Sequence, residues 1–210
     1  MAPMFVPGPV DVAPEVLAAQ AKPMMPHRSK DFEAIFRRTE EKLEKVFYTQ
    51  YRVFQATSSG SGMQEAGIRN FVQETVLSCT NGSFADRWYN VAISNGKQAD
   101  KLDVPWGQVI TPDMLADALK KKHYEAVTIV HNETSTGAVN PVKELAAVVQ
   151  DISPDTLVLV DAVSSLAGDK IEMDAWGIDF LLTSSQKCFA LPPGLAFAAA
   201  SDRAMKKAET

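Results

Sequence analysis

Three short and almost wholly apolar runs constrain most strongly what this sequence can fold into. They cover residues 126–130, 157–160 and 178–183, and polar or turn-forming residues bound each of them. Such runs are typical of strands that are buried on both faces of a sheet. Helical patterns lie between them, for example after Thr111, which precedes Pro112 as a cap precedes the first helical residue. This alternation predicts an α/β fold with a mostly parallel sheet and helices on both faces.

The same patterns extend towards both ends of the chain. Further helices are predicted at residues 14–21, after the capping residue Ser29, from 62 to about 75, at 141–150 and from Asp202, and further strands at 53–56, 76–79, 100–104 and 195–200. In the helix after Ser29, the apolar residues Phe32, Ile35 and Phe36 recur at helical spacing between charged residues.

Composition and charge limit the classes of protein that remain. With 210 residues, 46% of them hydrophobic and 22% charged, the chain is long enough for one large globular domain. The net charge of −5, without a basic tract, predicts neither nucleic acid nor a membrane as a partner. Cys79 and Cys188 are too few for a disulfide scaffold, which favours a reducing compartment. Residues 1–9 lack the features of a signal peptide, so we predict a cytoplasmic location.

Four polar segments follow predicted strands, at the sheet edge where open α/β folds bind ligands. They are residues 59–62 (SGSG), residues 131–137 (HNETSTG), Asp161 and Lys187. Each has a plain alternative: a tight turn, a capped turn, a helix cap and a solvated loop lysine, respectively. The glycine-containing turn is no nucleotide P-loop, because no Gly-Lys-Ser/Thr follows it. It is no Rossmann fingerprint either, because the third glycine is missing.

Together, the four segments suit one cofactor, pyridoxal phosphate. Glycine amides at the start of a helix favour a phosphate group. A carboxylate can keep a pyridinium nitrogen protonated, and a lysine can form a Schiff base with the cofactor's aldehyde. The combination therefore predicts a pyridoxal-phosphate site without a metal ion.

These segments also resemble the motifs of the class V aminotransferase family. The matching motifs run in the family's order between Pro7 and about Arg203: PGP at 7–9, SGSG at 59–62, HNETSTG at 131–137, DAVSS at 161–165, SQK at 185–187 and PPG at 192–194. The resemblance implies the large domain of a fold type I pyridoxal-phosphate enzyme. It is strongest to the alanine–glyoxylate, serine–glyoxylate and serine–pyruvate aminotransferases.

By position, the resemblance implies a role for nine residues. Lys187 is the implied Schiff-base lysine, and Asp161 the implied partner of the pyridine nitrogen. The other implied cofactor contacts are Val163 and Phe84 for the two ring faces, Thr134 for the ring oxygen, and Ser61, Gly62, Met63 and Gln186 for the phosphate. Met63 departs from the more polar residue of some relatives, so we expect only its backbone to contribute. A solvated lysine is mostly charged near neutral pH, so proton transfer by Lys187 requires shielding from water.

The resemblance further predicts how the chain is divided. Residues 1–30, which include Pro7-Gly8 and His27-Arg28, would form an N-terminal arm bordering the substrate site, and residues 31–210 the pyridoxal-phosphate-binding large domain. Family members are longer, so we expect the C-terminal small domain to be missing, together with the arginine that grips the substrate carboxylate. Arg69 and Arg87, like Arg28, match no such role.

We therefore predict a transaminase that moves the amino group of alanine or serine to a 2-oxo acid, glyoxylate or pyruvate, and that forms a homodimer. Two alternatives stay open. One is a pyridoxal-phosphate-binding domain without turnover of its own, for which dimerisation is one conceivable role. The other is a class V lyase such as a cysteine desulfurase, which needs a catalytic cysteine on a C-terminal loop. Cys188, next to Lys187, is badly placed for that task, and we expect it to pack.

Overall fold

The computed structural model describes residues 4–209, so the first three residues of the predicted arm and Thr210, the end of the predicted large domain, lie outside the described residues. Helices and strands alternate, as predicted. The helices are α1 (Pro14–Gln20), α2 (Lys30–Phe47), α3 (Gly60–Phe71), α4 (Ser83–Ser94), α5 (Pro112–Lys121), α6 (Val142–Ile152), α7 (Met173–Trp176) and α8 (Asp202–Ala208). The strands are β1 (Arg52–Ala56), β2 (Thr75–Thr80), β3 (Gln98–Asp103), β4 (Ala126–Val130), β5 (Asn132–Glu133), β6 (Ala138–Val139), β7 (Leu157–Asp161), β8 (Phe180–Ser184) and β9 (Ala196–Ala200).

Seven of these strands form one sheet in the order β1-β9-β8-β7-β4-β2-β3. All its neighbouring strands are parallel except around β9, which runs antiparallel to both β1 and β8. In the centre of the sheet, Val160 lies opposite Ile129 on one side and Leu181 on the other. Strands β5 and β6 form a separate hairpin. The mostly parallel sheet confirms the predicted fold class.

Apolar side chains pack on both faces of this sheet. On one face, Val160 of β7 belongs to the same cluster as Leu145 of α6. On the other face, Leu159 of β7 shares a cluster with Trp88 of α4. These four side chains are at most 1% exposed. Burying each of them stabilises the fold by roughly 2–3 kcal/mol, so the core holds the strand ends in place from both sides.

The helix starts follow the predicted capping residues. Ser29 Oγ accepts a hydrogen bond from Phe32 N (3.2 Å), and Thr111 Oγ1 accepts one from Met114 N (3.3 Å). Each bond satisfies an amide that has no partner within the helix. Both predicted caps are therefore confirmed.

Helix α3 ends earlier than the sequence pattern predicts. The helix stops at Phe71, whereas the pattern extended to about residue 75. The cause is Glu125, which lies far away in the sequence: its Oε2 accepts hydrogen bonds from the amides of residues 73, 74 and 75, at 2.9, 2.6 and 3.0 Å. One carboxylate thus replaces the helical hydrogen bonds of three residues and turns the chain into β2.

Helix α2 packs on the body of the protein through its C-terminal half only. Leu43 and Phe47 are buried, whereas Phe32, Ile35 and Phe36 are 36–40% exposed. The apolar face seen in the sequence is real, but its first half lies away from the core. Among residues 4–209, no helix is both long enough and apolar enough to cross a lipid bilayer.

An ion pair between the buried Asp179 and the partly exposed Arg203 joins helix α8 to the starts of β7 and β8. Asp179, which precedes β8, accepts hydrogen bonds from Val158 N (2.9 Å) and Ser201 Oγ (2.8 Å). Arg203 donates to both oxygens of Asp179, through Nε at 3.1 Å and Nη2 at 2.6 Å, and also to the backbone carbonyls of Pro154 and Thr156. The planar guanidinium suits this geometry, because it can serve several fixed acceptors at once.

Replacing Arg203 should therefore destabilise the fold. We expect Arg203→Met to lower the free energy of unfolding by about 2 kcal/mol, because it leaves the buried Asp179 carboxylate without its counter-charge. Arg37 is the matched control, since it pairs with Glu33 at the surface, where Arg37→Met should cost less than about 0.5 kcal/mol. Urea denaturation of the three proteins measures both values. Equal losses in the two variants would contradict the structural role of Arg203.

Candidate active site

The predicted site residues meet at the carboxyl edge of the sheet. Strands β8, β7 and β4 are neighbours and parallel, so Ser184, Asp161 and Val130 end side by side. Lys187 lies in the turn after β8. The Gly/Ser turn after β1 begins helix α3 at the same edge, because β1 runs in the same direction as β8. This edge is where parallel α/β sheets bind ligands.

Asp161 is a buried carboxylate with two hydrogen-bond donors. It is 4% exposed, and it accepts hydrogen bonds from Gln64 Nε2 (2.7 Å) and from Val163 N (2.9 Å). Burial raises the pKa of Asp161 to about 6, although these two donors and the charge of Arg87 oppose the shift. A carboxylate held this way is poised to pair with a cation.

Lys187 is half-buried and lies under the N-terminal segment. Partial burial lowers its pKa, and the negative charge of Asp161 opposes that change. The chain around Gly8 covers the lysine stem so closely that a Cβ added to Gly8 would lie 2.5 Å from Lys187 Cδ. Val10 N donates to the carbonyl of Gln186 at 3.2 Å and fixes the segment there. The plain alternative of a fully solvated loop lysine does not describe Lys187.

Two backbone amides are available at the start of helix α3. Ser59 caps the helix by accepting from Gly62 N (3.2 Å), and the amide of Met63 donates to the Ser59 carbonyl (3.0 Å). Among residues 4–209, the amides of Gly60 and Ser61 have no hydrogen-bond acceptor. The side chain of Met63 points into the apolar core. An anion at this helix start would therefore meet the amides of Gly60 and Ser61 first.

Gly60 also allows helix α3 to approach the loop after β7. A Cβ added to Gly60 would lie 2.6 Å from Cγ2 of Val163. Val163 is two residues beyond Asp161, and its amide donates to the Asp161 carboxylate. The glycine thus brings the amides of α3 close to the segment that carries Asp161 and Val163.

Phe84 owes its position to a carboxylate from a different loop. Glu133, which is fully buried, accepts hydrogen bonds through Oε2 from the amides of Phe84 and Ala85, both at 3.0 Å. Ser135 Oγ accepts from Ser83 N at 3.0 Å. Helix α4 starts after Gly82, whose place a larger residue could not take, because a Cβ there would lie 2.4 Å from Glu133 Cγ. Glu133 therefore caps helix α4 from a different part of the chain, and this tertiary cap sets where the Phe84 ring lies.

The polar run between β4 and β6 also joins the strand ends to one another. His131 N donates to the Asp161 carbonyl at 2.8 Å, and His131 Nδ1 lies 2.8 Å from Ser165 Oγ. Burial lowers the pKa of His131, which favours the neutral ring. Thr134 Oγ1 and Ser164 Oγ form a short hydrogen bond. The run is thus part of the site's frame as well as a turn.

Sequence reasoning assigned no role to three residues that the structure places at this edge. Gln64 holds Asp161, Glu133 caps α4, and Arg87 lies over the Phe84 ring, with 4.9 Å from Cζ to the ring centre. The sequence does hold one signal for Gln64, which is a polar residue on the buried face of α3, four residues before Ile68. No local pattern could pair Glu133 with a helix that begins 50 residues earlier.

The fold and this site define a family, and comparison with known proteins gives the same answer. The family model described as aminotransferase class-V matches residues 14–210. The chain belongs to this family, as the motifs predicted.

Individual relatives agree with the assignment. An uncharacterised aminotransferase of Methanocaldococcus jannaschii is 44% identical over 204 residues, which are 96% of this chain and 52% of the relative. The L-aspartate–glyoxylate aminotransferase of Paracoccus denitrificans is 34% identical, over 99% of this chain and 54% of its own length. The structure of an alanine–glyoxylate aminotransferase from Nostoc superposes with a TM-score of 0.94 at 31% identity, over all of this chain and 56% of that one. The chain thus spans about half the length of the relatives it matches.

Removing the tertiary cap should destabilise the protein. We expect Glu133→Ala to lower the free energy of unfolding by about 3 kcal/mol, because it leaves the amides of Phe84 and Ala85 without an acceptor. Glu133→Gln keeps one acceptor oxygen and should lose about half as much. Glu144 is a suitable control because it is exposed in the first turn of α6, where its removal should cost less than about 1 kcal/mol.

Chemical denaturation measures these losses, and hydrogen exchange locates them. The amides of Phe84 and Ala85 should exchange faster in Glu133→Ala than in the unsubstituted protein. Unchanged exchange at these two amides would contradict the capping role of Glu133.

Burial of Asp161 predicts a pH dependence of stability in the cofactor-free protein. The pKa of Asp161 is about 6 in the folded chain and 3.8 as the reference value, so between these pH values the folded state binds a proton that the unfolded state has lost. Stability due to this group is therefore present below about pH 4 and is lost as the pH rises to about 6, by roughly 3 kcal/mol.

The variant Asp161→Asn cannot titrate and should escape this loss. The free energy of unfolding of the unsubstituted protein, minus that of Asp161→Asn, should fall by about 2.5 kcal/mol between pH 4 and pH 7. Denaturant titrations at several pH values measure the difference. Two curves that stay parallel across this range would show that the folded pKa of Asp161 is not raised.

Proposed function

We propose that this chain is the cofactor-binding part of a pyridoxal-phosphate-dependent aminotransferase, which transfers the amino group of alanine or serine to glyoxylate or pyruvate. The observation that carries the proposal is that a half-buried lysine and a buried carboxylate lie at one sheet edge, near enough for the carboxylate's charge to act on the lysine. Lys187 has a lowered pKa, and Asp161 has a pKa raised to about 6. Lysine and aspartate shifted in these directions are typical of functional sites.

The residues at this edge carry the chemical groups that pyridoxal phosphate needs for its phosphate, its ring nitrogen and its two ring faces. The amides of Gly60 and Ser61, with the helix dipole of α3, suit the phosphate. Asp161 suits the ring nitrogen, and Phe84 and Val163 suit the two ring faces. Four buried polar side-chain atoms have no hydrogen-bond partner among the described residues: Gln55 Nε2, Gln64 Oε1, Thr183 Oγ1 and Ser184 Oγ.

Two further predicted contacts with the cofactor belong to the proposal. Thr134 would meet the ring oxygen and Gln186 the phosphate. The amides of Gly62 and Met63 are already used by Ser59, so we assign the phosphate chiefly to the two preceding amides and keep the roles of Gly62 and Met63 as predictions. The Met63 side chain, in the core, adds nothing to the phosphate site in this scheme.

Pyridoxal phosphate, when bound, supplies an aldehyde that reacts with amines and a ring that accepts electrons. The lowered pKa of Lys187 raises the neutral fraction of Nζ, the form that can attack a carbonyl or accept a proton. Asp161 would hold the proton of a ring nitrogen, because a cation within hydrogen-bond reach favours the ionised carboxylate. The segment around Gly8 keeps water from the lysine stem, which maintains the shift.

We further propose that residues 1–30 form an arm that borders the site and residues 31–210 the large domain. The contact of Gly8 with Lys187 supports the first part. The exposed apolar residues Phe32, Ile35 and Phe36 support a homodimer, because a surface of this kind is typical of an interface. Both cysteines are free thiols, which supports a reducing, cytoplasmic location.

Borohydride trapping tests the proposal most directly. Reduction in the presence of pyridoxal phosphate should attach the cofactor covalently to Lys187, and mass spectrometry of the peptides should locate it there. Lys187→Ala should abolish the labelling, whereas Lys143→Ala, which removes an exposed lysine of α6, should leave it intact. Labelling elsewhere, or none in the unsubstituted protein, would contradict the site.

A second measurement separates an aminotransferase from a binding domain without turnover. The loaded protein is mixed with L-alanine, L-serine or L-aspartate, and formation of the matching 2-oxo acid is followed. Alanine or serine should be converted at least tenfold faster than aspartate, a difference of about 1.4 kcal/mol in the barrier. Cofactor labelling without product from any donor would favour the binding domain.

A further inference from the structure

We propose that Arg87 is a further cofactor-binding residue, whose guanidinium binds the phosphate group held at the start of helix α3. The sequence motifs gave Arg87 no role. The inference rests on the proposed function for the identity of the ligand, but the contacts that support it belong to this chain alone.

Arg87 bridges the two parts of the site. It lies three residues after Phe84 on helix α4, so the two side chains share one face of the helix. Its Cζ is 4.9 Å from the centre of the Phe84 ring, and its Nη1 donates to Ser61 Oγ at 3.1 Å. The guanidinium therefore stands beside Ser61, one of the two residues with an available amide at the start of α3.

The positive charge of Arg87 is free to meet an anion. Arg87 lines an open cleft of about 780 Å³ between α3 and α4, and two carboxylates share this cleft. Both are engaged by other cations: Glu65 pairs with Arg69, and Asp86 pairs with Lys101. Among residues 4–209, Arg87 forms no ion pair, and Ser61 Oγ is its only hydrogen-bond acceptor.

The start of helix α3 does not carry enough positive charge to balance a phosphate group, so a charged side chain from another element is needed. The backbone supplies two amides and a partial positive charge, but a phosphate carries up to two negative charges. The side chain that follows the turn, Met63, is apolar and lies in the core. Arginine suits the task because its planar fork can bind two phosphate oxygens at once while another N–H donates to Ser61.

Phe84 holds the guanidinium in place. Stacking on an aromatic face orients the planar group and limits its rotamers. The Phe84 ring is itself fixed by the cap from Glu133. The same ring is proposed to lie against the cofactor, so the residue that supports the cofactor ring also positions the charge for its phosphate.

A pair of ligands that differ only in the phosphate tests this role. The dissociation constants of pyridoxal phosphate and of pyridoxal are measured by absorbance for the unsubstituted protein, Arg87→Met, Arg87→Lys and Arg69→Met. Arg87→Met should weaken pyridoxal phosphate about tenfold or more and pyridoxal by less than about twofold. Arg87→Lys, which keeps the charge but not the fork, should fall between. Arg69→Met, a change in the same cleft, should bind both ligands normally.

The outcomes separate a phosphate contact from a purely structural tie between α3 and α4. Equal weakening of both ligands by Arg87→Met, or no weakening of either, would overturn the proposal. Phe84→Ala is expected to weaken both ligands and serves as the reference for loss of ring support.

Inorganic phosphate provides a readout that does not depend on the proposed function. Phosphate should raise the Tm of the unsubstituted protein and of Arg69→Met, but not that of Arg87→Met. If the unsubstituted protein bound neither pyridoxal compound, the aminotransferase proposal would fail, and the phosphate measurement alone would decide on Arg87. A phosphate-dependent Tm shift that is absent, or the same with and without Arg87, would reject it.

Discussion

The site depends on one buried carboxylate, Glu133, which ends the short strand β5 and reaches across to the start of helix α4. It satisfies the amides of Phe84 and Ala85, which no residue of their own helix can do. Burying a charge is unfavourable unless hydrogen bonds surround it, and four donors do so here, two from α4 and two from Ser135. The helix start, the Phe84 ring and the polar run therefore form one unit.

Asp161 differs from Glu133 in that fewer hydrogen-bond donors surround its carboxylate. It is also buried, yet only two donors among residues 4–209 reach it, and burial raises its pKa to about 6. Gln64, its side-chain donor, keeps a buried oxygen without a partner among the described residues. Glu133 is satisfied within the fold, whereas Asp161 becomes fully satisfied only beside a further donor or cation. We propose that the two carboxylates differ in purpose: Glu133 holds the frame, and Asp161 is left ready for a ligand.

The sequence predicted the architecture, and it placed the proposed site residues at one edge of the sheet, because both leave local signals. Apolar runs gave the strands, and Ser29 and Thr111 gave helix starts that their hydrogen bonds confirm. The edge of the sheet brought Asp161 and Lys187 together, since parallel strands end on the same side. The features that the sequence did not predict depend on contacts between residues that are far apart in the chain. Glu125 ends helix α3 early by binding the amides of residues 73–75 from 50 residues away, and no pattern near α3 contains that information.

The same distinction explains how a stable fold can hold an energetically unfavourable site. Its unfavourable features, a desolvated Asp161 and a partly desolvated Lys187, lie on chain segments that are fixed elsewhere. Asp179 and Arg203 anchor the opposite ends of β7 and β8, far along these strands from the edge that carries Asp161 and Lys187. A strand clamped at its start and packed on both faces can hold an unfavourable carboxylate at its end. The shifted pKa values at this edge are therefore maintained by interactions at the opposite ends of the strands.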